Sequence, residues 1–414
     1  MSTKTMTVLR QLWYEEEELQ LEFPESWEVV SCLMNGHNVP YITPDQIRAA
    51  FNKPIGSPAL RELAQGKHEV AIIFDDISRP TRAAELIPYV LEELEAAGIP
   101  DSAIRFICAS GTHGAHTFQD FQKKLGEKIL DRFPAYNHNP YENCTYVGQT
   151  SQGTGLSVNS EVMSCDLKIG IGSVIPHPQS GYGGGGKIVL PGIAFIDSIE
   201  SFHLLEIRAR EEGQRSIVGP GNYVENPMVR DFNEAAKMIG LDFKIDTIIN
   251  DKGQPCAIFM GEVKAEFYEA VKFAMSHYAT KAIPGAEVVV VNNYSKGNEA
   301  FIGFTIGVLM LRKKGGDLVL IMDCPTSQVV HYLIGSFGKS TRGRLFSPIN
   351  LQLPWLKRVV VLSPQFDKSF TDWLAIPDVI WVKTWPEVMN VLAQDFPDGA
   401  KAAIVPDGTI QYLA

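Results

Sequence analysis

From residue 69 the chain alternates between short apolar runs and amphipathic stretches. EVAIIFDD (69–76) is an apolar run closed by two acids, the form of a buried strand. The stretch from Ser78 to Ile99 has helical spacing and a stop at Gly98. The motif returns in AIRFICASGTHG (103–114), a strand and a small-residue loop, followed by the helical TFQDFQKKLGEKIL (117–130). DLKIGIGSVIP (166–176) predicts a third strand, and FIDSIESFHLLEIRA (195–209) a helix with Phe195, Ile199, Phe202, Leu205 and Ile207 on its buried face. Before residue 33 the pattern is of short alternating strands.

Beyond residue 266 the alternation resumes with different loops. Residues 266–283 predict a helix, and AEVVVVNN (286–293), GDLVLIMDCP (316–325), KRVVVLS (357–363) and DVIWVKT (378–384) predict strands. Strand–loop–helix units in series predict an α/β fold of two domains, with largely parallel sheets and a ligand cleft at the carboxyl ends of the strands, between the domains. A length of 414 residues also favours two cores. The expected division is 1–265, binding cofactor and carrying catalysis, and 280–414, closing over substrate, with the helix near 262–284 as connector.

Composition narrows the function. A net charge of -11 argues against a nucleic-acid partner. No run of about 18 apolar residues predicts a membrane helix. The N-terminus, MSTKTMTVLRQLWYEEEELQ, has no signal-peptide core, so a cytoplasmic protein is expected. The six cysteines are scattered without C-x-x-C spacing, which favours buried thiols over a zinc site or disulfide framework.

Chemistry gathers in the loops. DDISRPTR (75–82) suits a helix cap, but it also sets Arg79 beside Asp75 and Asp76, where a guanidinium can bind a substrate carboxylate bidentately. In ASGTHGAH (109–116), small residues can bring Ser110 and Gly111 backbone donors to an anion, and His113 enters the same crevice. VIPHPQSGYGGGGKIVLPGIA (174–194) sets His177 between two prolines and ends its glycine run at Lys187. Read as G-x-x-x-x-G-K it lacks the Ser/Thr of a phosphate loop, since Ile188 follows the lysine. Read as G-x-G-x-x-G it lacks the preceding strand. Such a run is either a floppy linker or a backbone passing close to something, and the apolar KIVLPGIAFI after it argues against a linker. His203, among apolar helix positions, suits either a core histidine or a neutral metal ligand.

DDISRPT, SGTHG, HPQSGYGGGGKIVLPGIA and SIESFH, in that order, resemble the nickel-dependent lactate racemase family. The resemblance covers most of residues 70–205. It implies a nickel-pincer nucleotide, a pyridinium-3-thioamide-5-thiocarboxylic acid mononucleotide with Ni, attached to or held near Lys187. It implies nickel ligation by His203, acid–base roles for His113 and His177, and carboxylate binding by Arg79. Asp76, Ser78, Ser110 and Gly111 fall to the cofactor side of the site. The implied activity is a racemase or epimerase inverting C2 of a 2-hydroxy acid through reversible hydride transfer, with cofactor-biosynthesis enzymes as transient partners. A pincer-dependent redox enzyme or lyase on the same scaffold, or a non-catalytic nucleotide-binding protein, are the alternatives. The second half departs from the lactate-active pattern. NNYSKGNEAFIGF (292–304) offers Lys296, Asn298 and Glu299 to substrate, and CPTSQVVHYL (324–333) is also unlike a lactate-type loop. The expected substrate is therefore a larger or polyhydroxylated 2-hydroxy acid.

Overall fold

Val70–Asp75, an entirely apolar strand up to its last residue, lies near the middle of a six-stranded sheet in the computed structural model of the chain. The structure describes residues 3–14, 17–335, 338, 353–367, 369 and 379–414. Across the sheet the order is Pro255–Gly261, Phe243–Ile249, Leu167–Ser173, Val70–Asp75, Ile104–Ala109, Ala135–Asn137. All pairings are parallel except that of the Pro255–Gly261 edge strand with Phe243–Ile249. The chain leaves Val70–Asp75 in one direction through Ile104–Ala109 and Ala135–Asn137. It then returns to the other side at Leu167–Ser173, which makes a topological switch point. Ligands bind at such points, outside the carboxyl ends of the strands.

This sheet belongs to a unit of residues 38–250 and 254–276. Its core includes Ile72, Phe74, Phe106, Leu167, Ile169, Ile171 and Phe243, all fully buried from water. A second unit comprises residues 1–37, 251–253 and 277–414. Its six strands, Ile380–Val382, Leu356–Leu362, Gly316–Ile321, Val288–Asn292, Lys401–Val405 and Glu28–Ser31, are all parallel. The break at 276/277 falls at the end of the Val263–His277 helix. The N-terminal side differs from the expected division at 1–265. Residues 1–37 group with the C-terminal half because Glu28–Ser31 pairs with Lys401–Val405, a contact no local pattern announces.

Local sequence explains where the elements stop. The helix expected from Ser78 begins only at Ile87, because Pro80 and a short 3-10 turn at Ala83–Glu85 occupy the loop. The helix expected over 117–130 is two, Phe118–Leu125 and Glu127–Leu130, divided at Gly126, whose φ of +84° no ordinary helix residue adopts.

Candidate active site at the carboxyl end of the larger sheet

The loop after Val70–Asp75 places Asp76 and Ser78 in the interior, 3% and 0% exposed. Asp76 Oδ1 accepts the Ser78 N–H (2.8 Å) and the Ser78 hydroxyl (2.5 Å). Its Oδ2 lies 2.5 Å from His113 Nδ1, on the loop after the neighbouring strand. Adjacent parallel strands thus deliver an acid and an imidazole to one point. Burial alone raises the Asp76 pKa, yet the His113 and His116 imidazoles outweigh it and hold the carboxyl well below its ordinary range. A carboxylate facing Nδ1 fixes the ring proton there and presents Nε2 as the basic nitrogen. Arg79 is part-buried beside this pair, its Nη1 donating to the Ser78 hydroxyl (2.8 Å) and carbonyl (3.1 Å).

Beneath the loop, Lys124 Nζ pairs with Asp75 (2.7 Å) and donates to the Arg79 carbonyl (2.8 Å). Helix Phe118–Leu125 thereby braces the backbone that carries Arg79. Sequence reading missed this lysine, whose place on a helix resembles a solvated charge.

The third loop follows Leu167–Ser173. Pro176–His177 pairs with Gly181–Tyr182 as a tight antiparallel hairpin, and His177 Nδ1 accepts the backbone N–H groups of Gln179 (3.2 Å) and Ser180 (3.3 Å). The neutral His177 ring therefore carries its proton on Nε2, the reverse of His113. Gln179 Nε2 donates to Glu206 Oε2 (2.6 Å), tying this hairpin to the Ile196–Glu211 helix that bears His203. His203 is 7% exposed, and its Nδ1 lies 2.7 Å from the Ile199 carbonyl. Burial first, then the nearby Lys187 and His113 charges, push its pKa down to about 4 against the opposing pull of that carbonyl. The ring is neutral, with Nδ1–H donating and Nε2 the lone-pair nitrogen. This is the arrangement in which a histidine ligates a metal.

The glycine run packs closely against the protein's own chain. A Cβ on Gly181 would sit 2.3 Å from the Asn222 carbonyl oxygen, one on Gly185 2.7 Å from the Phe267 ring, and one on Gly186 2.4 Å from the Phe232 carbonyl oxygen. These three glycines admit the protein's own backbone and aromatic ring. Their packing sets the 3-10 turn Gly185–Ile188 that carries Lys187. Gly186→Ala is expected to lower unfolding stability by about 1–3 kcal/mol through overpacking, read from thermal unfolding.

Ser110 and Gly111 also differ from expectation. The Gly111 N–H is bonded to the Gly192 carbonyl (2.9 Å) and the Ser110 hydroxyl to the His138 carbonyl (3.3 Å), so both shape the loop. Lys296, Asn298 and Glu299 belong to the other unit. There the Lys296 ammonium and Glu299 carboxylate form a buried pair at 2.5 Å, and the Asn298 carbonyl accepts the Val329 N–H (2.8 Å).

A buried charge cluster that sequence reading missed underlies the lysine turn. Asp246 Oδ2 accepts the Gly185 N–H (2.6 Å), while Oδ1 pairs with Lys244 (2.5 Å), both side chains fully enclosed. Gly170 and Gly172 on the adjacent strand leave the room: Cβ atoms there would lie 2.8 Å from Lys244 Cδ and 3.1 Å from Asp246 Oδ1. The signal was the alternation in FKIDTII (243–249), with Lys244 and Asp246 on one face. Glu266 is buried near this pair; burial, then the Asp246 charge, raise its pKa well above the ordinary value. A carboxyl that stays protonated when folded destabilises the fold as pH rises from the ordinary carboxyl range through its raised pKa. Glu266→Gln is expected to flatten that slope in urea unfolding measured across pH; an unchanged slope would assign it to other groups.

A doubly wound α/β unit with three histidines, an arginine and a lysine at its switch point has the layout of a small-molecule site. Comparison with known proteins agrees with that reading and sharpens it. Residues 14–214 match the family described as the Lactate racemase N-terminal domain. Over those residues the chain is similar to the lactate racemases. It is 27% identical over 287 residues to the lactate racemase of Thermoanaerobacterium thermosaccharolyticum, covering 68% of this chain and 66% of that one. To the lactate racemase of Lactiplantibacillus plantarum it is 30% identical over 223 residues, 53% of this chain and 51% of the relative. These matches span less than two thirds of the curated relatives' lengths. The fold is shared with the lactate racemase apoprotein from T. thermosaccharolyticum, at a TM-score of 0.74 and 22% identity over 99% of this chain and all of that one. A protein from Thermotoga maritima is similar at a TM-score of 0.63 and 18% identity, over 87% of this chain and all of that one.

Proposed function

We propose that this protein is a racemase or epimerase that inverts C2 of a 2-hydroxy acid with a nickel-pincer nucleotide, by reversible hydride transfer. The observation that carries the reading is the buried Asp76–His113 pair on the same switch point as His203 and Lys187. The residues fit the group: His203 is enclosed, neutral and fixed through Nδ1, as a nickel ligand requires, and Lys187 lies within electrostatic reach of it. His203 would hold the metal and Lys187 would hold the nucleotide, covalently or by its charge. When bound, the group supplies the acceptor and donor for the C2 hydrogen.

The chain's own residues then do the rest. Arg79 fixes the substrate carboxylate. His113, with Nδ1 turned to Asp76, offers Nε2 to take the hydroxyl proton. His177, with Nδ1 held by two backbone N–H groups, offers an Nε2 proton to the carbonyl oxygen of the flat keto acid. The opposite tautomers give one acceptor and one donor, and the two exchange roles in the reverse direction. The hydroxyl lies on opposite sides of the site in the two enantiomers, so an imidazole is needed on each side.

The substrate in this reading is a 2-hydroxy acid larger or more hydroxylated than lactate. The Lys296 charge is matched by Glu299, a pair that suits hydroxyl groups better than a second carboxylate. Enzymes that build the cofactor are the partners this reading requires. Among the described residues no helix is long and apolar enough to cross a membrane. A panel of enantiopure 2-hydroxy acids, each incubated with nickel-loaded protein co-expressed with the cofactor-making enzymes, tests the function. Loss of optical purity in at least one is expected, and preservation of all would overturn the reading.

A further inference from the structure

The smaller unit has a switch point of its own. Strand Val288–Asn292 lies between Gly316–Ile321 and Lys401–Val405. The chain leaves it in one direction through Gly316–Ile321, Leu356–Leu362 and Ile380–Val382, then returns to its other side at Lys401–Val405. The loop that opens at this point, outside the carboxyl end of Val288–Asn292, carries Lys296, Asn298 and Glu299. That is where a parallel sheet receives ligands. Asp407, on the loop after Lys401–Val405, accepts the Ser295 N–H at 3.0 Å and so joins the two loops. Beyond it, Gly297–Glu299 forms a 3-10 turn that runs into helix Phe301–Met310. The residue before that helix is Ala300, which has no side-chain acceptor to cap it. Gln328 supplies the missing bonds from another loop. Its Oε1 accepts the Ala300 N–H (3.0 Å) and its Nε2 donates to the Gly297 carbonyl (2.8 Å), so both ends of one amide span the turn. The next residue, Val329, adds the bond to the Asn298 carbonyl. Gln328 is itself held by Asp367, whose Oδ2 accepts its N–H (2.6 Å), and it is 9% exposed.

We propose that Gln328 is a positioning residue that sets substrate preference, by holding the turn on which Lys296 and Glu299 meet. The proposal rests on the reading of that pair as the contact for substrate hydroxyl groups. Lys296 and Glu299 stand on either side of the Gly297 carbonyl that Gln328 grips, and they pair at 2.5 Å, 2% and 5% exposed. An ammonium donates and a carboxylate accepts, so together they satisfy both needs of a hydroxyl. The match holds only while the spacing of the two groups is fixed, because hydrogen bonds weaken steeply with misalignment. A site built to bond a hydroxyl strongly rejects the analogue that lacks it. Gln328 touches no substrate in this scheme. It acts through the backbone of residues 297–300, so its loss falls on recognition of distal hydroxyls and not on the chemistry at C2.

Two measurements test it. Hydrogen exchange on the full chain reads the turn itself. In Gln328→Met, which keeps the bulk of the side chain without its amide, the 297–300 amides are expected to exchange about tenfold faster or more, with strand Val288–Asn292 unchanged. Protection equal to wild type would overturn the positioning role. Cofactor-loaded enzyme reads the preference, comparing the most hydroxylated acid that wild type racemises with lactate, followed as substrate or as competitive inhibitor. Gln328→Met is expected to raise KM for the hydroxylated acid about tenfold with kcat unchanged, and to leave lactate as it was. A merely structural role would move both acids alike, and that result, or no change in either, would overturn the proposal. Gln328→Glu keeps the acceptor for the Ala300 N–H and is expected to fall between wild type and Gln328→Met in both measurements. Absence of racemisation by wild type would sink the functional reading, while the exchange measurement, which needs no substrate, still decides whether Gln328 holds the turn.

Discussion

Alanine at His203 is expected to abolish nickel retention and, with it, all turnover. In the proposed reading the ring is set as a ligand before any metal arrives. Burial keeps it neutral, with a pKa near 4, and the Ile199 carbonyl 2.7 Å from Nδ1 fixes which nitrogen faces outward. Removing it takes away a donor that the helix holds in place at no further ordering cost. Elemental analysis of desalted protein after co-expression with the cofactor-making enzymes measures the effect. Stoichiometric nickel in His203→Ala would move the ligand elsewhere. The substitution removes one of several buried side chains on a 16-residue helix, so unfolding temperature should serve as the control for fold.

The second large effect is expected from His113→Ala, a fall in turnover of about 10²–10⁴-fold with nickel still bound. In the proposed reaction His113 supplies the proton acceptor, and its loss also leaves Asp76 a buried carboxylate without the imidazole that holds its pKa down. Asp76 would then protonate more readily, so the variant should also lose stability relative to wild type above the ordinary carboxyl range, where the native pair contributes. His177→Ala is expected to lose turnover on the same scale without that stability penalty, since His177 Nδ1 faces backbone donors and not a buried carboxylate. Kinetics and metal content on the same samples separate the two roles. Normal turnover in both variants would remove the acid–base assignment.

Much of the larger unit was legible in the sequence. The runs at 69–76, 103–109 and 166–173 were apolar enough to announce strands buried on both faces, and the loops after them carried residues with few structural uses. What was not legible was long-range. Nothing near Glu28 announces that it will pair with residues beyond 400, because a parallel edge contact is written in two distant segments. The glycine run was legible as a close approach, but not whose approach: Phe232, Phe267 and Asn222 come from elements far along the chain. No local pattern marks His116, Lys124 or Asp246, and only the fold turns them inward. The site thus rests on a foundation of paired buried charges. It is expensive in desolvation, and it fixes the loops that carry Arg79 and Lys187.

The most direct measurement uses an enantiopure 2-hydroxy acid deuterated at C2, incubated with the cofactor-loaded protein and followed by chiral separation and mass spectrometry. Loss of optical purity with deuterium retained in both enantiomers is expected, because the C2 hydrogen leaves and returns without mixing with water. Inversion accompanied by washout of the label into solvent, or retention of configuration throughout, would contradict it.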